Sequence, residues 1–185
     1  HRKAARKFDV EYFDGDRLSG YGGYGYHPRF WTDTVALFRD HYKLAPDAAV
    51  LDVGCASGYS TALLARLAGT VTGLEEDLVL AKQAAEMLAG LGVSNATIVT
   101  GPLKSGWPSG VGYDLILLQG STEVVPSALF AQLNDGGRLV GVVGRGQSGK
   151  ATIYRKIDGE ISSRPIFDAA APLLPGFSQP VAFVF

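Results

Sequence analysis

The sequence predicts an α/β fold: a doubly wound, mostly parallel sheet with antiparallel strands added at its C-terminal edge. Three observations carry this. Apolar runs of strand length alternate with helical patterns from residue 48 onward, which is how parallel βαβ units read. One run, Ala49–Val53, passes into a glycine turn and then a helix. The pattern then changes to a period of two around Asp158-Gly159, a hairpin signal.

Each element follows from local patterning. Pro28 opens a helix, with Phe30, Trp31, Val35, Leu37, Phe38 and Tyr42 at helical spacing, and Pro46 closes it. Ala48–Val53 reads as the first strand. Tyr59–Leu67 follows as a helix, with Ser57 or Ser60 near its cap. Thr70–Leu74 is the second strand and Leu78–Leu91 an amphipathic helix that stops at Gly92. Ala96–Thr100 is the third strand. Tyr113–Leu118 is the fourth, apolar enough to be buried on both faces. Pro126–Leu133 is a short helix, and Arg138–Val143 a fifth strand after the Asp135-Gly136-Gly137 turn. Ala151–Ile157 and Glu160–Phe167 form the hairpin, and Val181–Phe185 a last strand. Residues 1–185 are read as one domain, a lid and helix segment over 1–46 and an α/β core over 47–185.

Composition narrows the function classes. Apolar residues make up 46% and charged residues 19%, the balance of a folded globular chain rather than a disordered one. The net charge of -1 argues for neither a nucleic-acid nor a membrane partner, and the basic start, residues 1–7, reads as a solvated end. Cys55 is the single cysteine, so no intrachain disulfide and no cysteine-rich metal cluster can form. His1, His27 and His41 have no ligand spacing, and no metal site is expected. No run approaches the roughly 18 apolar residues of a membrane span and no secretory signal is read, so a cytoplasmic location is expected.

The chemistry centres on Gly54-Cys55-Ala56-Ser57-Gly58 and on Glu75, about 20 residues beyond the turn. A glycine turn lets backbone approach a nucleoside, and the acid can accept both ribose hydroxyls. Ala56 and Tyr59-Ser60 stand where a pyrophosphate binder wants glycines. Asp52, at the mouth of the turn, would repel phosphates but suit a ligand carrying an ammonium and a sulfonium. These residues favour S-adenosylmethionine over a nicotinamide dinucleotide. Cys55 reads as a small packing residue of that turn rather than a nucleophile.

The motifs Val50–Tyr59, Leu91–Asn95, Gly101–Pro108, Tyr113–Leu118, Val125-Pro126, Gln132–Leu139, Phe167-Asp168 and Leu174–Phe177 resemble class I S-adenosylmethionine-dependent methyltransferases, which are Rossmann-like. Over residues 49–185 they are similar to the protein-L-isoaspartate O-methyltransferase family. The resemblance implies that Asp52, Gly54, Cys55, Ala56 and Gly58 line the methionine part of the cofactor. Glu75 would hold the ribose, with Glu76 and Asp77 along the adenosine edge. Gly101, Pro102 and Leu103 would flank the adenine, and Leu118–Gly120, with Gln119, would form the wall beneath the sulfonium. S-adenosylhomocysteine would be the product.

Three departures accompany the resemblance. Pro102 stands where the family has an acid that reaches the adenine amine. The family's serine or threonine beside a proline, close to the transferring methyl, has no counterpart in residues 1–48. Residues 8–45 resemble a different class I group, so the chain reads as two methyltransferase parts joined near Pro46–Val53, natural or engineered. Tyr21 and Tyr26 in the glycine-rich loop are candidates to close over a sulfonium by cation–π attraction, or to cap the sheet edge. The acceptor is open between a protein carboxylate and a small molecule. A carboxylate needs no general base; a hydroxyl or amine does, and His27 and Asp14 are the candidates. Arg145 could attract an acidic substrate. The alternative function is a cofactor-binding scaffold or a chimera without turnover. The oligomeric state is not legible.

Overall fold

The computed structural model describes residues 44–108 and 112–179. The expected helix from Pro28 and the expected strand Val181–Phe185 lie outside the described residues. So do Asp14, Tyr21, Tyr26 and His27.

Among the described residues there are seven strands in one sheet: β1 Ala49–Val53, β2 Thr70–Glu75, β3 Ala96–Thr100, β4 Tyr113–Thr122, β5 Leu133–Val143, β6 Lys150–Ile157 and β7 Glu160–Asp168. Three α-helices connect them: α1 Tyr59–Leu64, α2 Leu78–Gly90 and α3 Ser127–Ala131. The strand order is β3-β2-β1-β4-β5-β6-β7. The first five strands pair in parallel, and β6 and β7 are antiparallel additions. The Rossmann-like, doubly wound expectation therefore holds. The order reverses between β1 and β4, and a ligand crevice forms in such sheets beyond the carboxyl ends of the strands at that point.

Alternation along β1 divides the core in two. Leu51 and Val53 point to one face and pack with Leu74, Ile116, Leu118, Leu139 and Phe177. Val50 points to the other, with Leu64, Ala65, Ala68 and Val71. Asp52 shares the Val50 face, so a carboxylate enters the layer beneath α1. Asn95 ties off the turns after α1 by donating from Nδ2 to the carbonyls of Ala65, Ala68 and Gly69 at 2.8, 3.0 and 3.2 Å.

Element boundaries differ from expectation where long-range contacts intervene. The first helix ends at Leu64, not Leu67; the chain tightens into i→i+3 bonds from Arg66 N to Leu63 O and from Leu67 N to Leu64 O. Neither Ser57 nor Ser60 caps it. Gly58 occupies the N-cap at φ 83, and the Ser60 hydroxyl is spent elsewhere. Strand β4 continues four residues past Leu118, and its burial is mixed rather than complete. The helix expected over 126–133 is reduced to Ser127–Ala131.

The Asp135-Gly136-Gly137 segment is not a turn before β5 but a bulge inside it. Tyr113 pairs with Leu133 and Leu115 with Arg138, so four residues of β5, 134–137, stand opposite the single Asp114 of β4. Asp114 fills the gap by accepting from Asn134 Nδ2 at 2.9 Å and from Ala49 N at 2.8 Å. The hairpin is as expected. Asp158 and Gly159 have φ of 51° and 81°, the two positive values that a tight type I′ turn requires.

Candidate functional site

The turn after β1 is held against the end of β2. The amides of Gly54 and Cys55 both donate to the Leu74 carbonyl, at 2.8 and 3.2 Å. Gly54 (φ 77) and the non-glycine Ala56 (φ 47) both adopt left-handed backbone. The left-handed conformation favours glycine at 54, and the space beside it is tight. A Cβ there would stand 3.0 Å from Leu174 Cδ2, with Leu103 and Gln119 just beyond. Gly58 serves a different end. Its missing Cβ would fall 2.9 Å from Ala84 Cβ, so it lets α2 pack against the start of α1.

Glu75 ends β2 beside this turn and is 8% exposed. Its Oε2 accepts from the Ala56 amide at 2.8 Å, and its Oε1 accepts from the amides of Glu76 and Asp77 at 2.9 and 3.0 Å. A carboxylate has about four acceptor positions, so it keeps lone pairs for a further donor while shaping the loops on either side. The Ala56 bond also holds the strained left-handed residue in place. Glu76 and Asp77 are exposed. Asp77 is the N-cap of α2, accepting from Val79 and Leu80 amides at 2.7 and 3.1 Å.

Asp52 has no solvent contact. Its Oδ2 accepts from the hydroxyls of Ser60 and Thr61, both at 2.7 Å, and its Oδ1 accepts from Gln119 Nε2 at 2.7 Å. Burial pushes its carboxyl above the ordinary range, and the three donors pull against that. The exposed Gln119, at the carboxyl half of β4, is the group through which Asp52 reaches the surface of the crevice. Cys55 is buried, and burial first, then the Asp52 charge, pushes its thiol up to about 12. Such a thiol stays protonated, which suits packing and not attack.

Gly101, Pro102 and Leu103 follow β3. The Gly101 amide donates to the Glu75 carbonyl at 3.2 Å, and Leu103 is buried against the first core face. A clamp beyond them is not legible in the sequence. Gln132 Oε1 accepts from Trp107 N at 2.8 Å, while its Nε2 donates to the carbonyls of Ser105 and Ala128 at 2.8 and 2.9 Å. The Tyr113 hydroxyl donates to the Trp107 carbonyl at 2.8 Å.

The segment after β7 also joins the site without a sequence signal to say so. Ser121 N donates to the Pro172 carbonyl, Leu174 N to Ser121 O, and Glu123 N to Phe177 O. These bonds lay residues 172–177 along the carboxyl half of β4, and Leu174 comes to rest against Gly54. Arg145, expected as a lure for acidic ligands, instead pairs with Glu123, whose Oε2 also accepts from Gln179 N at 2.7 Å. Among the described residues no group of histidine, cysteine or acidic side chains could hold a metal ion, and no helix is long and apolar enough to cross a membrane.

Comparison with known proteins agrees with this fold. A family model described as Protein-L-isoaspartate(D-aspartate) O-methyltransferase (PCMT) matches residues 28–169. A Protein-L-isoaspartate O-methyltransferase 1 of Rhodopseudomonas palustris (strain HaA2) is 36% identical over 148 residues, 80% of this chain and 59% of that protein. A Protein-L-isoaspartate O-methyltransferase of Synechococcus sp. is 41% identical over 114 residues, 62% of this chain and 47% of that protein. The chain thus spans about half to three-fifths of the length of these curated relatives. A solved putative protein-L-isoaspartate O-methyltransferase from Plasmodium falciparum, in complex with S-adenosyl-L-homocysteine, superposes with a TM-score of 0.64 at 19% identity, covering 93% of this chain and 88% of that one. At that identity the likeness speaks for the fold.

Proposed function

The chain belongs to the protein-L-isoaspartate(D-aspartate) O-methyltransferase family, and from that premise we propose that it binds S-adenosylmethionine beyond β1, β2 and β4 and directs methyl transfer to a polypeptide carboxylate of the isoaspartyl type. The observation that carries the reading is the Glu75 carboxylate. It is bonded to amides from both flanking loops, nearly buried, and still has acceptor capacity beside a turn with no side chain at Gly54. That arrangement fits a nucleoside with a ribose hydroxyl to donate to the remaining acceptor position and a narrow chain to lay against the turn.

When bound, the cofactor supplies an electrophilic methyl on a sulfonium. The residues present then hold and shield. Glu75 accepts from the ribose. Gly54 and Ala56 give the methionine part a backbone surface. Asp52, through Gln119 and its own field, favours positive charge at the crevice. Pro102, exposed beyond β3, offers the adenine apolar contact in place of an acid, with Leu103 packed in the core behind it. The nucleophile is a carboxylate, already ionised at neutral pH, so the protein contributes orientation and exclusion of water rather than a proton acceptor. For a hydroxyl or amine acceptor, His27 and Asp14 remain the bases to test, and Tyr21 and Tyr26 the rings to close over the sulfonium. The family match includes residues 28–45 and the junction expected near Pro46–Val53, which gives no support to a second methyltransferase group there. A cytoplasmic location accords with the single, reduced cysteine.

The test is calorimetric titration with S-adenosylhomocysteine, on the wild type and on Glu75→Ala, followed by a methyl-transfer assay on an isoaspartyl peptide. Losing a hydrogen bond to a charged acceptor should cost on the order of 1.5–3 kcal/mol of binding. A folded wild type that binds nothing sinks the reading. Binding without transfer to the peptide leaves the scaffold alternative in its place.

A further inference from the structure

A second concentration of charge lies on the β5–β6–β7 side of the sheet. Arg155 of β6 stands directly across from Arg138 of β5 on one side and from Ser162 of β7 on the other. Arg164 is opposite Ile153, two positions along the same face. Directly opposed residues of antiparallel strands have Cα atoms about 4.5–5.5 Å apart, and diagonal ones about 7–8 Å. Arg155 therefore has an arginine on either side on this face, Arg138 directly across on β5 and Arg164 diagonally on β7. This group lies away from the glycine turn: Arg138 is level with Leu115 and Val50, near the start of β1, whereas the turn follows its far end.

Like charges in direct opposition weaken a sheet. Among the described residues none of these arginines has an ion pair or hydrogen bond to offset that. Glu160 shares the face at the hairpin end, across from Ile157, and pairs with none of them. Arg155 and Arg164 are exposed, and with Ile153, Ser162 and Ser163 they line a cavity of about 280 Å³.

We propose that this face is a binding site for a tetrahedral oxyanion of the phosphate class, either free or carried as a phosphomonoester. Each guanidinium offers a planar fork of donors that matches such an oxyanion in pairs, and the Ser162 hydroxyl adds a further donor from the same face. The cavity is the size of a small molecule, and the chain's net charge of -1 supplies no broad field for a long polyanion. The site stands on its own residues and does not depend on the methyl-transfer reading.

The test titrates the whole chain with inorganic phosphate at constant ionic strength, followed by thermal melting and ³¹P line broadening. Arg155→Gln/Arg164→Gln is compared with Lys82→Gln, a surface change on α2. The expected result is saturable binding that weakens about tenfold or more in the double variant and is unchanged in Lys82→Gln. Without phosphate the double variant should melt no lower than the wild type, because a repulsion has been removed. Ribose 5-phosphate distinguishes the sources: tighter binding than inorganic phosphate indicates a phosphomonoester, equal or weaker binding the free ion, and both support the site. Equal saturation in wild type and double variant overturns it. So does binding of a single-stranded oligonucleotide, steeply salt-dependent, with no saturation by phosphate.

Discussion

Asp52 holds its carboxylate out of water on three side-chain donors, and the balance between burial and those donors sets how it titrates. Burial is the larger influence, so the folded protein keeps the proton to higher pH than the unfolded chain, whose value is near 3.8. Between those two values the native state binds more protons. Stability therefore falls as pH rises through that window and is flat above it. Asp52→Asn removes the titration while keeping the shape. Its amide oxygen can accept from Ser60 and Thr61, and Gln119 can turn its own oxygen toward the new NH2. In urea unfolding from about pH 3.5 to about pH 8, the stability of wild type relative to Asp52→Asn should decline from about pH 4 upward and then level off. A difference that instead grows with pH would mean that the donors outweigh burial. Asp52 and Glu75 are legible in the sequence because strand, turn and acid recur at a readable spacing. Their partners are not, because Ser60, Thr61 and Gln119 come to Asp52 only when α1 and β4 are packed against β1.

At the level of elements, the loop after β3 shows how two distant motifs form one device. Gly106 has φ 62 and ψ -155, backbone that only glycine adopts readily. A Cβ there would also meet the Gln132 amide at 2.6 Å. Gln132 in turn fastens Ser105 and Trp107 to the end of α3. Gly106→Ala and Gln132→Ala should each lower stability by roughly 1–3 kcal/mol, the first by strain and steric conflict, the second by orphaning backbone groups. The double variant should cost less than the sum, since losing the Gln132 side chain relieves the steric conflict that Gly106→Ala creates. Denaturant midpoints of wild type, both single variants and the double variant check this, and strict additivity would refute the coupling. Elements set by local chemistry are readable: the Asp158-Gly159 hairpin needs only its turn type. The start of β5 is not, since Asp135-Gly136-Gly137 carries every local mark of a turn. It becomes a bulge only because Asp114, on the neighbouring strand, bonds Asn134 and the start of β1.

Across the whole molecule, the chain after β7 returns to the point where the strand order reverses. Residues 172–177 bond to β4 and place Phe177, 1% exposed, in the first core face and Leu174 against Gly54. Core and crevice thus share one segment, and the two residues divide its work. Phe177→Ala empties a closed site and should cost about 3–5 kcal/mol of stability. Leu174→Ala should cost about 2–4 kcal/mol, and it also removes the side chain that backs the glycine turn. If the turn is the cofactor's seat, S-adenosylhomocysteine affinity should fall in Leu174→Ala by more than in Phe177→Ala, measured at a temperature where both remain folded. The distinction matters because general loosening would weaken binding in proportion to lost stability, and Phe177→Ala would then be the worse binder. The opposite ranking ties affinity to contact at Gly54 and makes the returning segment a wall of the site as well as a plug in the core.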